Sequence, residues 1–208
     1  MKINKEACVE SVEQAVQAQR QGATRIELVS HYEVGGLTPS KTLITEVQQA
    51  VSIPIRVMIR PRAGGFNYTQ EELDVMLSSI DECKELQVEG VVFGVLKADN
   101  TLDTAAIKTL TKRAYPLKVV IHKAIDETPD IFKALQKLLK IKGITTILTS
   151  GGKPNATEGA TILKELIRIA GSQIEIMAQG EITSMNFEEL HHIISANAYH
   201  GKYLVGEI

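Results

Sequence analysis

The residues of this sequence that could carry chemistry stand where short apolar runs end. The run over residues 24–29 contains a carboxylate, Glu27, which is costly to bury unless it is paired or faces a polar site. Two glycines follow, Gly35 and Gly36, which would let a loop pass close over a neighbouring group. At the ends of later runs stand Arg60, Arg62, His122, Lys123, Asp126, Ser150, Gly151 and Gly180. Carboxylates, guanidinium groups and an imidazole in this arrangement predict proton transfer or anion binding.

Strand geometry predicts where Glu27 points. Side chains on a strand alternate between two faces, so Arg25 and Glu27 share one face while Ile26 and Leu28 take the other. The apolar pair must pack against helices, which turns Glu27 toward the interior. Arg60, at the end of the next run, is predicted to pair with Glu27, and such a pair needs further hydrogen bonds when buried. The pair is either a structural salt bridge or part of a reactive cluster.

A second group of residues indicates anion binding. Arg62 lies two residues after Arg60, and two guanidinium groups that converge on one place repel each other unless an anion lies between them. The Gly-rich stretch with Ser150 and Gly151 could form a nest of backbone N–H groups for a phosphate or carboxylate. We assign substrate binding to these residues together with Gly35, Gly36, Lys123 and Gly180.

His122 has two interpretations. It could be a core histidine whose ring nitrogens are satisfied by neighbours. With Asp126 four residues later, it could also be an oriented acid/base pair. The sequence has no Ser-His-Asp order, no H-E-x-x-H, no Walker loop and no carboxylate-rich metal motif. Glu27, His122 and Asp126 are therefore the candidate catalytic residues.

The elements that must position these residues alternate regularly. Eight strand-like runs cover residues 2–9, 24–29, 53–59, 89–95, 117–121, 144–149, 174–178 and 196–200, with amphipathic helical patterns between them. This rhythm over 208 residues predicts one α/β domain, a short (β/α)8 TIM-type barrel over residues 1–208. A doubly wound open sheet is the alternative, but no G-x-G-x-x-G follows the first run. We expect the last helix to be missing, truncated or replaced by a partner's surface.

Local signals mark helix starts and one core position. Thr69 followed by Glu72 has the spacing of a capping box. Thr38 with Pro39 predicts an N-cap followed by proline at the first helical position. In the helix after Thr69, apolar residues recur at helical spacing as far as Cys83, which indicates that this cysteine is buried in the core.

Composition excludes several partners. The net charge is −2 and the 23 Lys and Arg residues are scattered, so nothing favours binding to nucleic acid or an anionic membrane. The N-terminus has no apolar signal region, and the longest apolar run is too short to cross a bilayer, which predicts a cytoplasmic location. Two cysteines without C-x-x-C spacing, Cys8 and Cys83, favour neither a disulfide framework nor a closed zinc site.

Five motifs in order carry a family resemblance. "RIEL" followed by "GGLTPS", then "IRPR", "IHKAID", "ILTSGG" and "IMAQG", resemble the CutC copper homeostasis proteins from about residue 5 to about residue 200. The resemblance implies a (β/α)8 barrel, a cytoplasmic location, a part in copper handling and copper(I) binding through cysteine, with no settled reaction. It maps the family's polar mouth onto Glu27, Arg60, Arg62, His122 and Asp126. The family's "HRAFD" is "HKAID" here, which replaces a forked donor by a point charge at Lys123.

The cysteine pattern departs from that family. Cys8 keeps one first-strand cysteine position, whereas Val9 and Val29 occupy the others. Copper(I) favours two or three thiolate or thioether ligands, so Cys8 as metal ligand needs help from Met58 or Met177.

Three functions therefore stand side by side. The first is a cytosolic copper homeostasis protein that binds copper(I). The second is a barrel enzyme that acts on a small anionic or phosphorylated metabolite through the Arg, Glu and His cluster. The third is an oligomeric scaffold whose polar interior only fixes the fold. The expected partners are a copper ion or a small anionic molecule and, in a homo-oligomer, further copies of the chain.

Overall fold

A computed structural model describes residues 3–208, and it has eight parallel strands closed into a barrel. The strands are β1 Asn4–Val9, β2 Arg25–Leu28, β3 Ile55–Met58, β4 Gly90–Phe93, β5 Lys118–Ile121, β6 Ile144–Thr149, β7 Glu175–Ala178 and β8 Ala198–His200. Each strand pairs with the next along the chain, and β8 closes onto β1 with Glu6 opposite His200. The predicted barrel is confirmed and the open sheet is wrong. Residue 2, in the first predicted run, lies outside the described residues.

Seven α-helices surround the strands. They are α1 Val12–Arg20, α2 Lys41–Ala50, α3 Gln70–Glu85, α4 Thr104–Ala114, α5 Ile131–Leu138, α6 Ala156–Ala170 and α7 Phe187–Ile194, with short 3-10 helices at Tyr32–Val34 and Lys123–Glu127. The segment over residues 201–208 contains no α-helix, as expected from the sequence. No helix within residues 3–208 is long and apolar enough to cross a membrane.

The helix starts confirm one prediction and correct another. The capping box at Thr69 and Glu72 is present and begins α3. The N-cap predicted at Thr38 is wrong, because α2 begins after Ser40, whose side chain accepts the capping hydrogen bond. Thr38 instead binds the next strand end: its hydroxyl accepts from the Arg60 backbone N–H at 2.8 Å. Thr38 therefore contacts Arg60, two residues after β3 and distant in sequence, and does not cap the helix as its neighbouring proline had indicated.

The strands bury both of their faces. Their outward side chains, among them the fully buried Ile26 and Leu28, pack against the helices in the main core, and Cys83 of α3 lies there as predicted. Burying such an aliphatic side chain stabilises the fold by about 1.5–3 kcal/mol. The inward side chains form a second apolar layer across the barrel: Cys8, Val29, Met58, Val92, Val120, Leu148, Met177 and Ala198.

Glu6 organises the polar interior. Its carboxylate accepts a hydrogen bond from Arg25, approaches Arg56 Nη1 at 3.6 Å and lies 3.0 Å from His200 Nδ1. Arg25 and His200 are its register neighbours on β2 and β8. Burial alone would raise the pKa of Glu6, but Arg25, His200 and Arg56 lower it to about 2. The carboxylate is therefore ionised at neutral pH, inside the barrel.

Replacing this carboxylate should destabilise the barrel. Glu6→Gln removes the fully buried carboxylate shared by Arg25 and Arg56 and leaves them only the partly exposed Glu175 and Glu89, so we expect the free energy of unfolding to fall by roughly 3–5 kcal/mol in a urea titration. Glu85→Gln is the matched control, because Glu85 pairs with Lys41 on the exposed surface and should change stability by less than about 1 kcal/mol. Equal stabilities of the two variants would contradict the stabilising role assigned to the Glu6 carboxylate.

The same contact should make stability depend on acid. The pKa of Glu6 lies below its ordinary value of 4.5, so its contribution is fully present above that pH and is lost as the pH falls toward about 2. The difference in unfolding free energy between the unmodified protein and Glu6→Gln should therefore shrink between pH 5 and pH 3. A difference independent of pH would show that Glu6 is not the titrating group.

Candidate functional site

A cavity of about 630 Å³ opens at the C-terminal ends of the strands, where barrel enzymes place their chemistry. Its base is the inner apolar layer, represented by Val29, Met58 and Leu148. The polar residues of its wall include Cys8, Glu27, Arg60, His122, Lys123, Gln179 and His200. The cavity therefore combines an apolar base with a wall of acids, cations and imidazoles.

Cys8, Glu27 and His200 come together on three adjacent strands. One potential ligand atom from each lies within 4.8 Å of the other two, and all three side chains are buried. Cys8 and Glu27 are register neighbours on β1 and β2, and His200 ends β8. His200 was not among the residues predicted from the sequence, although it ends the eighth predicted run, residues 196–200. The available signal was its place at the end of the eighth strand, since strand ends hold the functional residues of barrels.

His200 is held between two carboxylates. Its Nδ1 lies 3.0 Å from Glu6 Oε1, and its Nε2 lies 3.5 Å from Glu27 Oε2. Burial would lower the pKa of His200, but Glu27 and Glu6 together raise it. Burial raises the pKa of Glu27, and Glu6 adds to the increase while His200 opposes it. The imidazole is thus fixed in orientation and keeps its proton to a higher pH than an ordinary histidine.

Cys8 is a thiol rather than a thiolate at neutral pH. Burial, followed by the nearby charge of Glu27, raises its pKa well above the ordinary value. A nucleophilic cysteine needs the opposite shift. The site therefore does not activate Cys8 by itself, and a ligand that binds the sulfur as thiolate must displace its proton.

The pair predicted between Glu27 and Arg60 is not formed. The Arg60 guanidinium donates to the carbonyls of Val34 at 2.9 Å, Gly36 at 3.0 Å and Gly64 at 2.6 Å. Among residues 3–208 no carboxylate lies within salt-bridge distance of it. Arg60 therefore fastens the loops after β2 and β3 together, and Glu27 turns to His200 instead.

Arg62 does not join Arg60 at an anion site. Its guanidinium pairs with Glu72 of α3 and donates to the carbonyls of Gly65 at 2.9 Å and Asn67 at 2.6 Å. Its side chain does not line the cavity. The expectation of two converging guanidinium groups is wrong, because Arg62 pairs with Glu72, a carboxylate in the first turn of α3.

The predicted backbone nest is occupied by the chain's own carboxylate. Asp126 accepts hydrogen bonds from the Ser150 N–H at 3.0 Å, the Gly152 N–H at 2.8 Å and the Thr149 hydroxyl. It therefore does not pair with His122, and the predicted acid/base pair is wrong. The N–H groups expected to hold an external phosphate are satisfied internally.

The remaining loop residues have structural contacts. The Ser150 hydroxyl donates to the Lys153 carbonyl at 2.5 Å, and the Gly151 N–H donates to the Thr149 hydroxyl at 2.9 Å. Neither residue lines the cavity, whereas Gly180 does. Gly180 has φ of 102°, and a Cβ there would lie 3.0 Å from the backbone N of α6's first residue. The close packing of two loops explains the glycine.

His122 is a buried, neutral imidazole. Its Nδ1 accepts from the Ala124 N–H at 3.2 Å, which assigns the ring proton to Nε2. Burial and the charge of Arg60 lower its pKa to about 3. Within the described chain, Nε2 has no hydrogen-bond partner. His122 therefore offers an unused donor at the cavity wall, and it packs against Phe66 with ring centroids 4.6 Å apart.

Gly35 brings two cations together. A Cβ at this position would lie 3.1 Å from Lys123 Nζ and 3.4 Å from Arg60 Nη1, and its φ is 87°. Only glycine fits this close approach without strain. The sequence predicted that the Gly-Gly loop passes over a polar group, and the group beneath Gly35 is the Lys123 and Arg60 pair rather than Glu27.

Comparison with known proteins agrees with this architecture. The CutC family model matches residues 3–204. "Copper homeostasis protein cutC homolog" of Homo sapiens is 41% identical over 195 residues, which are 94% of this chain and 71% of that protein. A "family protein CutC" of Treponema denticola is 38% identical over 198 residues, 95% of this chain and 80% of the relative.

Solved structures show the same fold. The "putative copper homeostasis protein CutC" of Streptococcus agalactiae superposes with a TM-score of 0.92 at 32% identity, covering 97% of this chain and 99% of that one. A monomeric dihydrodipicolinate synthase variant has a TM-score of 0.66 at 12% identity over 96% of this chain and 68% of its own, a similarity of fold alone. From the match over nearly its whole length, the chain belongs to the CutC family.

Proposed function

We propose that this protein serves copper homeostasis by binding copper(I) at Cys8 and His200, with Glu27 beside them. The observation that supports this most is the approach of one ligand atom from each of the three residues to within 4.8 Å of the others, inside a cavity open to solvent. The names of the relatives, which refer to copper homeostasis, point the same way.

The donor atoms suit copper(I). Thiolate is a preferred ligand of the soft cuprous ion, and imidazole is a common ligand of copper. Metal-binding histidines usually hold their second ring nitrogen against a carboxylate, which fixes the ring and increases the basicity of the binding nitrogen. Glu6 supplies that contact at His200 Nδ1, and Nε2 remains on the side of Glu27.

Met58 is the best source of a third soft ligand. Its side chain lines the cavity and belongs to the same inner layer as Cys8. Met177 is less suitable for two reasons. Its sulfur accepts a hydrogen bond from Arg25 Nη2 at 3.2 Å, and its side chain does not line the cavity. Together, Cys8, His200 and Met58 supply two sulfur ligands, whereas Cys8 alone supplies one.

The proposal includes a reducing compartment. Cys8 and Cys83 are both free thiols in the structure, and thiols persist in the cytoplasm, where disulfides are rare. Cytoplasmic action and self-association into a homo-oligomer remain predictions, to be checked by fractionation and by mass measurement in solution.

Copper binding is tested directly by competition. The reduced protein should take one copper(I) ion from a chromophoric chelator, and Cys8→Ser should bind at least about tenfold more weakly, since thiolate is the strongest donor present. His200→Gln should weaken binding as well.

Two variants control this experiment. Cys83→Ala removes the other thiol, which is buried in the main core away from the cavity. His192→Gln removes an exposed imidazole of α7. Both should bind copper(I) as the unmodified protein does. Binding that is equally strong in Cys8→Ser, or that depends on Cys83, would exclude the proposed site.

Copper affinity should rise with pH. Burial raises the pKa of Cys8 well above its ordinary value, so the thiol must release a proton to bind metal, and the two carboxylates beside His200 raise the pKa of its imidazole. We expect the association constant to increase by at least about tenfold per pH unit between pH 6 and pH 8. An affinity independent of pH over this range would contradict ligation by these groups.

A further inference from the structure

We propose that the barrel mouth also binds a small organic anion, a carboxylate bearing a hydroxyl group, through Lys123 and His122 and through Glu27. This inference goes beyond copper binding and does not depend on it, because the groups that would hold the anion are present in the metal-free protein. It shares Glu27 with the copper site, whereas Lys123 and His122 are not among the proposed copper ligands.

The first support is a pair of neighbouring positive charges that has no salt bridge among the described residues. Lys123 Nζ and Arg60 Nη1 both adjoin Gly35, at 3.1 Å and 3.4 Å from the position of its missing Cβ. Across residues 3–208 neither cation has a carboxylate within 4.0 Å. Two adjacent cations repel each other, so an anion beside them lowers the energy of the site.

The second support is a set of buried polar atoms without partners in the described chain. Two of them, Glu27 Oε1 and His122 Nε2, belong to residues that line the cavity, and both side chains are at least nine-tenths buried. A buried polar group without a hydrogen bond costs about 1–3 kcal/mol, so two such groups at one cavity indicate a ligand that satisfies them.

The chemistry of these atoms defines the ligand. His122 Nε2 is a donor, and with the Lys123 ammonium it requires an oxygen acceptor that carries negative charge. Glu27 is different, since its Oε2 faces His200 while Oε1 is left to accept a hydrogen bond. A carboxylate for the donors and a hydroxyl for Glu27 match both requirements.

The cavity also limits size and charge. Its apolar base, formed by Val29, Met58 and Leu148, suits a short carbon skeleton between the two polar groups. The backbone nest that would suit phosphate is filled by Asp126. Phosphate would also bring a second negative charge toward Glu27, which favours a monoanionic carboxylate.

Other charges face the mouth from its rim. Glu33 and Glu181 line the opening and are exposed to solvent, where water and salt screen their effect on an anion inside. Lys202 also lines the opening, and its Nζ lies 3.9 Å from Glu10 Oε1, so its charge is paired. These three rim residues therefore add no net positive field, and selectivity depends on the exposed Lys123 together with the buried His122 and Glu27.

The experiment measures binding of defined probes to metal-free, reduced protein by isothermal titration calorimetry. The probes are glycolate, lactate and glycerate, with acetate and propionate lacking the hydroxyl, ethylene glycol lacking the carboxylate, and inorganic phosphate. We expect at least one hydroxy-carboxylate to bind more tightly than its hydroxyl-free match and than phosphate.

Variants identify the groups responsible. Lys123→Met should weaken hydroxy-carboxylate binding about tenfold, the loss expected for one charge-assisted hydrogen bond. Lys108→Met, at an exposed position on α4, is the matched control and should bind normally. Glu27→Gln should abolish the preference for hydroxyl-bearing probes, whereas Cys8→Ser should keep it. Retained binding in Cys8→Ser separates this site from the copper site.

Several results would overturn the proposal. They are the absence of binding by every organic probe, binding of phosphate as tight as that of the best hydroxy-carboxylate, and affinities in Lys123→Met equal to those in Lys108→Met. A copper site that fails its own test leaves these measurements unaffected, because they use metal-free protein.

Discussion

The barrel depends on one buried carboxylate, that of Glu6. It lies where two guanidinium groups and an imidazole converge. Because these groups are buried, their electrostatic interactions are strong, and the loss of one partner strongly destabilises the fold. Because its register neighbours lie on β2 and β8, Glu6 links the first strand to the strands on either side of it. It also fixes the ring of His200 at the mouth. Closure of the barrel and orientation of the site therefore rest on the same interaction.

An apolar layer separates the charges near the N-terminal strand ends from those at the mouth. Above this layer, the terminal nitrogens of Arg60 donate to loop carbonyls and Asp126 accepts from backbone N–H groups, so both residues serve the architecture of the loops. The groups of the mouth that the fold does not use in this way are the thiol of Cys8, Oε1 of Glu27, Nε2 of His122 and the ammonium group of Lys123. The two proposals, a soft metal and an organic anion, draw on these groups and share Glu27.

Much of the fold could be read from the sequence. Alternation of strand and helix patterns, the number of runs and side-chain parity are local properties, and they correctly predicted eight strands, the buried Cys83 and the inward direction of Glu27. The site was predicted less well. Parity shows which face a side chain takes, but it does not select among several oppositely charged partners on that face, and the sequence therefore paired Glu27 with Arg60 and His122 with Asp126.

The sequence by itself determined the barrel, the CutC resemblance and the strand ends at which polar groups collect, because these follow from periodicity and residue type. Only the tertiary structure decided which of those groups are bonded to the chain and which are left for a ligand. It brought His200, at the end of the eighth run, beside Cys8 and Glu27, since barrel closure places β8 against β1 although they are far apart in sequence. Contacts of that kind depend on the register and curvature of the closed sheet, which no local pattern encodes.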